Sequence, residues 1–426
     1  MKKIAKSIIV RLLGRQVRRL QSKNNFKVIA IGGSIGKTST KFAIAAVLKQ
    51  KFRVQFQEGN YNDPVTVPLV FFGLPEPNIF NPFAWASTLL KIAKQIRQPY
   101  LYDVVIIELG TDAPGQMGSF KQYIKADIGV LTAIAPEHME FFADLDAVAK
   151  EELSLADYSK SLLVNKDLVE GKYLVNLKAP YITYGLDQPA DYQLTDVTYR
   201  DNAYDFSIKH AGSPLLQGRH HAIAETQLYS VCAAAAVADE LGISIDLINK
   251  GIDQIEAVNG RMQRLEGINN SIIIDDTYNA SPVAMKAALD TLYKLQSPQK
   301  IAILGNMNEL GSFSQQAHTE IGEYCDPKQL DIVITIGPDA NKFLAPAAEN
   351  RGCTVKTFTS PYVAAAYLKP LIKDKAIILA KGSQNGVFAE ETVKMLLSNP
   401  DDAGKLVRQS KYWLKIKAKN FKNKTI

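Results

Sequence analysis

The chain is poor in cysteine. Only Cys232, Cys325 and Cys353 occur in 426 residues, far apart and with no CxxC pair. That spacing excludes a zinc ribbon, an iron–sulfur cluster and a disulfide framework, and it suits a reducing cytoplasm. Long hydrophobic runs are missing too, so no spanning helix of about 18 apolar residues is expected. The first segment lacks a small-residue cleavage site, so a signal peptide is not expected either. Internal repeats and low-complexity segments are absent. With 46% hydrophobic and 22% charged residues, the composition excludes a disordered or collagenous chain. The length predicts two or three domains with full cores.

Acid is missing from both ends. Residues 1–25 and 405–426 each carry eight Lys/Arg and no Asp or Glu, although the whole chain has a net charge of only +7. The body, residues 26–404, therefore carries a net −9. This excludes a basic nucleic-acid-binding body, and no nucleic-acid partner is expected. It points to basic arms that reach an anionic surface. In residues 1–24, Ile4, Ile8, Leu12 and Leu13 recur at helical spacing with Lys and Arg opposite. They predict a basic amphipathic helix that lies on an anionic leaflet or packs on its own protein. The basic tail, residues 401–426, has a similar mix. The expected location is cytoplasmic, with peripheral contact at the inner face of the membrane.

Between the ends, apolar β-rich runs alternate with helical patterns. Strands are expected at Lys27–Ile31, Val104–Ile107, Ile128–Leu131, Ser271–Ile274, Ile301–Leu304, Asp331–Ile336 and Ala376–Leu379. Helices are expected at Thr38–Lys49, Thr226–Leu241 and Pro282–Leu295. Near-continuous apolar strands with helices between them make an α/β fold with parallel sheets. Residues 181–220 alternate and are turn-rich, which predicts antiparallel strands on the first sheet. A boundary near Val258–Gly260 divides a central domain, residues 25–258, from a smaller one, residues 259–400. The aromatic segment from Phe71 to Tyr102 reads as buried packing, a hydrophobic lid or a membrane contact.

The strongest local signal is KVIAIGGSIGKTSTKFAIAAVL, a strand, a turn and a helix. Gly33, Ser34, Gly36, Lys37, Thr38 and Ser39 have the character of a phosphate-binding loop. Glycines let the backbone wrap phosphates, Lys37 neutralises charge, Thr38 offers a hydroxyl to Mg²⁺, and the helix N-terminus adds N–H donors. Ile31 replaces the usual first glycine, so only the shorter GxxGKT pattern is present. Nucleotide phosphates and Mg²⁺ are the expected ligands of this loop.

Further motifs follow in order: GNYNDPVTVPL, IIELGTDAPGQM, APEHMEFF, AVAKEEL, LLVNKD, GRMQRLEG, IIDDTYNASPVAMKAAL, ILGNMNELGSFSQQAH and ILAKGS. Together with the loop, the series resembles the Mur ligases over residues 26–395. These are ATP-dependent amide ligases that extend the peptide of peptidoglycan precursors, and the resemblance is greatest to the branch adding D-alanyl-D-alanine. It implies a P-loop central domain, a Rossmann-like C-terminal domain, and a catalytic site completed by domain closure. It also implies that Glu108 shares a magnesium with Thr38, that His138 takes a second magnesium or a substrate oxygen, and that a Lys150 carbamylated by CO2 ligates or orients the second magnesium. Arg261 is implied to contact phosphates or substrate. Asp275, Asp276 and Asn279 are implied to meet nucleotide, and Asn62, Arg264, Lys381 and Ser383 to meet substrate. The implied partners are a precursor peptide and an amino acid or dipeptide.

The pattern also departs from the family. Only about 25 residues precede the first strand, where the family has a domain gripping the UDP-muramoyl end. A lipid-linked acceptor or a substrate-recognition partner is one consequence. Ser230 stands near an expected Asn, Asn306 replaces a common Asp, and Gln384 an expected Arg. Two alternatives stay open: a related ligase acting on a folate or polyglutamate acceptor, and a non-catalytic ATP-binding scaffold at the membrane. Replacing Lys37 with Ala is expected to abolish ATP turnover while leaving circular dichroism unchanged. Normal turnover in that variant would remove the phosphate-loop assignment.

Overall fold

The computed structural model describes residues 2–59, 61–78 and 81–421, with side chains from Lys6 onward. Readings that involve Asn60, Ile79, Phe80, the Ile4 side chain or residues 422–426 fall outside this set. The chain divides into two compact units. The first comprises residues up to Ala135, Phe141–His220 and Leu228–Glu256. The second comprises Pro136–Glu140, His221–Gln227 and the chain from Ala257 onward.

The first unit is built on nine strands: β1 (Lys27–Gly32), β2 (Val54–Gln55), β3 (Val104–Glu108), β4 (Ala126–Leu131), β5 (Ser159–Asn165), β6 (Tyr181–Gly185), β7 (Tyr192–Arg200), β8 (Ala203–His210) and β9 (Ser213–His220). Their order is β2-β3-β1-β4-β5-β6-β7-β8-β9. The strands from β2 to β7 in this order pair in parallel, and only β7–β8 and β8–β9 are antiparallel. Residues 181–185 therefore depart from the antiparallel expectation. The crossover through 166–180 returns the chain to run alongside β5, and the antiparallel meander begins only with the β7–β8 turn. β3 is buried at every position and β1 after its first residue, which explains their unbroken apolar sequences. Ile31 stands opposite Glu108 and Gly32 opposite Leu131. The carboxyl ends of three central strands thus coincide, where α/β sheets bind ligands.

The N-terminal helix Lys2–Lys23 is part of this unit. Leu13, Val17 and Leu20 are fully buried in the cluster that holds Phe71, Trp85 and Ile107. A Cβ on Gly14 would come within 3.1 Å of the Tyr123 ring, so glycine permits the close approach. Arg18 donates to the Gln122 carbonyl at 2.8 Å, and Gln21 to the Lys125 carbonyl at 3.0 Å. Leu13, with Val17 and Leu20, is therefore spent on the protein's own core, whereas Ile8 of the same helix stays exposed. In the aromatic segment Phe71, Phe72 and Trp85 are buried packing.

The second unit has six strands: β10 (Gln263–Glu266), β11 (Ile272–Asp276), β12 (Lys300–Gly305), β13 (Ile332–Ile336), β14 (Val355–Phe358) and β15 (Ile377–Lys381). They are ordered β10-β11-β15-β12-β13-β14. All neighbours are parallel except β10–β11. Asp276 ends β11 opposite Lys381, which ends β15.

The tail is not a free arm within the described residues. Lys417, on the helix Lys411–Asn420, is 1% exposed and donates to Glu391 at 2.6 Å and to the Arg408 carbonyl at 2.9 Å. Arg408 grips Glu390 with two bonds, at 2.8 and 2.7 Å. Two of the tail's cations thus neutralise two buried carboxylates, and the charge pattern alone could not assign them that task. Leu13→Ala is expected to cost about 3 kcal/mol in urea unfolding. A loss below about 1 kcal/mol would show that the N-terminal helix is not part of the core.

Candidate active site

The turn after β1 is shaped by two left-handed glycines, Gly33 at φ 117° and Gly36 at φ 86°. A Cβ on Gly33 would lie 2.4 Å from Thr132 Oγ1 and 2.8 Å from the Ala133 nitrogen. No other residue fits there. The Gly33 N–H donates to Glu152 at 2.7 Å, and the Ser34 N–H to the Ala133 carbonyl at 2.9 Å. Ser34 Oγ accepts from the Ala135 N–H at 3.0 Å. The first part of the loop is therefore pinned from within. Helix Lys37–Leu48 starts directly after Gly36, and first-turn N–H groups of a helix lack intrahelical acceptors. The Lys37 ammonium donates back to the Gly33 carbonyl. A lysine there can transfer its bonds to phosphate oxygens.

Thr38 Oγ1 donates to Glu108 Oε1 at 3.1 Å. Glu108 is 4% exposed, and its second oxygen has no hydrogen-bond partner. Lys41 Nζ lies 3.0 Å from that oxygen as a charge contact without hydrogen-bond geometry. A buried carboxylate whose second oxygen accepts no hydrogen bond, beside a hydroxyl, is a fitting oxygen-donor set for Mg²⁺. Among the described residues no three His, Cys, Asp or Glu groups converge as a metal cluster, so phosphates and water would complete the shell. Asn62 stands by the same edge. Its carbonyl accepts from the Gly110 N–H at 2.8 Å, and its side chain lies against Gly110.

Lys150 is exposed on helix Leu145–Leu153, whereas its neighbours Glu151 and Glu152 are buried. Glu151 accepts from Thr111 Oγ1 at 3.0 Å and from the N–H groups of Gly115 at 2.7 Å and Met117 at 2.6 Å. The AVAKEEL segment thus organises the turn after β3 and the phosphate loop, while its lysine faces solvent. His138 lies on the short segment grouped with the second unit. Its Nδ1 is 2.8 Å from Glu309, and this hydrogen bond holds the Glu309 carboxyl below its ordinary range. Both residues have positive φ, 53° and 65°.

In the second unit, predicted residues converge at the ends of β11 and β15. Lys381, 3% exposed, donates to Asp276 at 2.6 Å and to the Asn279 carbonyl at 3.0 Å. Ser383 Oγ donates to the Ala280 carbonyl at 3.2 Å and accepts from the Asn308 N–H at 3.0 Å. Arg261 stacks 4.0 Å over the Tyr278 ring, and its Nε is buried with no hydrogen-bond partner. Arg264 is not drawn in: it is exposed on the outer face of β10. Asp275 accepts from Thr277 Oγ1 at 2.6 Å, while its other oxygen has no partner. Burial pushes its carboxyl up to about 7; the Thr277 bonds oppose the rise, and the Glu390 and Asp276 charges add to it.

Sequence reasoning missed several contributors. Lys41 lies one helical turn beyond Lys37, a spacing that could have flagged it. Glu151, Glu152 and Glu309 stood inside quoted motifs without a role. Arg408 and Glu390 carry no motif signal. Arg408 nevertheless holds the Thr277 and Tyr278 carbonyls at 2.5 and 3.0 Å.

A P-loop α/β unit joined to a second parallel-sheet unit, each with charged side chains at its strand ends, defines a two-unit nucleotide-dependent enzyme. The family model for the Mur ligase middle domain matches residues 31–238, and that for the Mur ligase, glutamate ligase domain matches residues 260–384. The chain belongs to the Mur ligase family of ATP-dependent ligases. One relative is the UDP-N-acetylmuramoyl-tripeptide--D-alanyl-D-alanine ligase of Bacillus subtilis. It is 28% identical over 388 residues, which cover 88% of this chain and 76% of the relative. Among solved structures, MurF from Acinetobacter baumannii aligns with a TM-score of 0.75 at 23% identity, covering 91% of this chain and 80% of that one. MurF ligase from Thermotoga maritima in complex with ADP aligns with a TM-score of 0.74 at 22% identity, covering 91% and 83%. These two structures share the fold.

Asp275 links pH to stability. The folded state keeps its proton up to about pH 7, whereas an unfolded aspartate releases it near 3.9. Between these values the unfolded chain binds fewer protons, so this group makes stability fall as pH rises from about 4 to about 7, and then level off. Asp275→Asn is expected to remove that component, read as a smaller difference in urea midpoint between about pH 5 and about pH 8. An unchanged difference would show that Asp275 is ionised throughout.

Proposed function

We propose that this chain is an ATP-dependent amide ligase of peptidoglycan-precursor synthesis, joining the carboxylate of a muramoyl-linked peptide to D-alanyl-D-alanine. The observation that carries the reading is the pairing of Thr38 with the buried Glu108 beside the Gly33–Thr38 loop. It supplies the charge handling that phosphoryl transfer to a carboxylate needs. The named relative supports the choice of substrates.

In this reading a carboxylate oxygen attacks the γ-phosphorus of ATP and ADP leaves. The uncharged amine then attacks the acyl carbon, phosphate departs with the bonding electrons, and the amine loses a proton. Lys37 exchanges its loop carbonyls for phosphate oxygens and stabilises the charge that accumulates there. Thr38 and Glu108 would hold Mg²⁺, which neutralises phosphate charge when bound. A CO2-derived carbamate on Lys150 would turn an exposed cation into an anionic oxygen ligand, and His138 would offer a ring nitrogen. Asp275, Asp276 and Asn279 serve the nucleotide, and Arg261 the phosphates. Asn62, Lys381 and Ser383 orient the two substrates, with proximity supplying much of the acceleration, while Arg264, exposed on β10, takes no part in this reading. Peripheral membrane contact through the basic ends belongs to this reading too; in the tail, Arg408 and Lys417 are paired inside the protein, while Lys411, Lys415 and Lys419 stay exposed.

The test is phosphate release from ATP with Mg²⁺ and bicarbonate. UDP-muramoyl-tripeptide plus D-alanyl-D-alanine is compared with each alone, and the product is read by mass. Release that needs both substrates and yields the pentapeptide is expected. Release with a folate or polyglutamate acceptor instead would replace the substrate assignment. ATP binding without turnover on any acceptor would favour the scaffold.

A further inference from the structure

We propose that the outward faces of helices Lys2–Lys23 and Pro82–Gln95 form a docking surface for an anionic lipid bilayer, one that adsorbs by charge and is anchored by protruding apolar side chains. The proposal does not depend on the ligase reading.

The first observation is an absence of acid that extends beyond the terminus. The first carboxylate in the chain is Glu58, and none occurs from Pro77 to Tyr102. Both helices therefore belong to acid-free stretches of a chain whose body carries a net −9. The second observation is that the two helices share one support. Leu13, Val17 and Leu20 of one and Trp85 and Ile92 of the other belong to the same buried cluster. Their outer side chains are thus presented from a fixed platform. On the first helix Arg11, Arg15 and Arg18 are exposed and border a cleft of about 320 Å³ together with Gln122 and Tyr123. No carboxylate lines that cleft. Three guanidinium groups without a competing anion suit a phosphodiester headgroup, which accepts paired N–H bonds.

The third observation separates a bilayer from other polyanions. Phe83 is 85% exposed, Leu90 71% and Ile8 53%. On helix Pro82–Gln95, Phe83 and Leu90 are seven residues apart and so lie on one face, with Lys91 and Lys94 exposed beside them. Protruding apolar groups among cations suit the boundary between headgroups and acyl chains. A nucleic-acid backbone would leave those groups wet. On helix Lys2–Lys23 the protein core holds Leu13, Val17 and Leu20 and leaves Ile8 protruding. Insertion therefore falls mainly to Phe83 and Leu90, and the arginines supply the attraction.

The full chain would be sedimented with vesicles of phosphatidylglycerol in phosphatidylcholine and with pure phosphatidylcholine. Salt would be set at about 0.1 M and about 0.5 M, so that the Debye length shrinks from roughly 10 to roughly 4 Å. Binding only to the anionic vesicles, and loss at high salt, is expected. Arg11→Glu/Arg15→Glu/Arg18→Glu should lower partitioning on the order of 100-fold. Phe83→Ser/Leu90→Ser should lower it about tenfold while keeping the salt dependence. Lys411→Glu/Lys415→Glu, in the tail, should leave it unchanged. All variants replace exposed side chains, and an unchanged melting temperature checks folding; if the triple variant melts early, Arg11→Gln and Arg15→Gln replace it. Equal binding by the arginine variants, salt-insensitive binding to phosphatidylcholine, or arginine-dependent binding to an RNA oligonucleotide without vesicle binding would each overturn the proposal.

Discussion

The first unit depends on the common ending of β1, β3 and β4. Parallel pairing places Ile31 opposite Glu108 and Gly32 opposite Leu131. The glycine-rich turn, the buried Glu108 carboxylate and the Thr132 wall therefore meet at one sheet edge. Gly33 fits only because it lacks a side chain, since Thr132 and Ala133 occupy the space a Cβ would need. The buried Glu152 then fixes the loop through a backbone N–H. Shifting one strand by one residue would carry Glu108 to the opposite face of its strand.

The second unit uses the same device with different chemistry. β11 and β15 end together, so Asp276 and Lys381 neutralise each other at 2.6 Å. The turn that follows β11 is held from below by Arg408, which bonds to its carbonyls and to Glu390. The price is a buried charge network in which every member is needed. Removing one partner leaves another charge unpaired in a poor solvent, whereas replacing both can be neutral. The basic tail therefore has an internal purpose that net charge conceals.

Much of this was legible in the sequence. Val28–Ile31 and Val104–Ile107 are continuous apolar runs because both faces of a parallel strand are buried. The Gly-rich turn before Lys37 and Thr38 was legible because few other residues can take the positive φ of Gly33 and Gly36. Glu108 was recognisable as a carboxylate ending such a strand. Residues 181–185 misled because a five-residue strand shows the same alternation whether its neighbour runs parallel or antiparallel. The partner's direction depends on the crossover, which is a non-local choice.

The sequence by itself determined the α/β alternation, the glycine turn after β1 and the acid-free ends, because these depend on local periodicity, backbone freedom and charge count. Only the tertiary structure decided which charges remain outside. Arg11, Arg15 and Arg18 face solvent because Leu13, Val17 and Leu20 turn inward. Arg408 and Lys417 are buried because Glu390 and Glu391, on a distant helix, would otherwise be unpaired. The two ends have the same charge, yet desolvation makes pairing obligatory for Arg408 and Lys417 and unnecessary for the exposed arginines of the first helix.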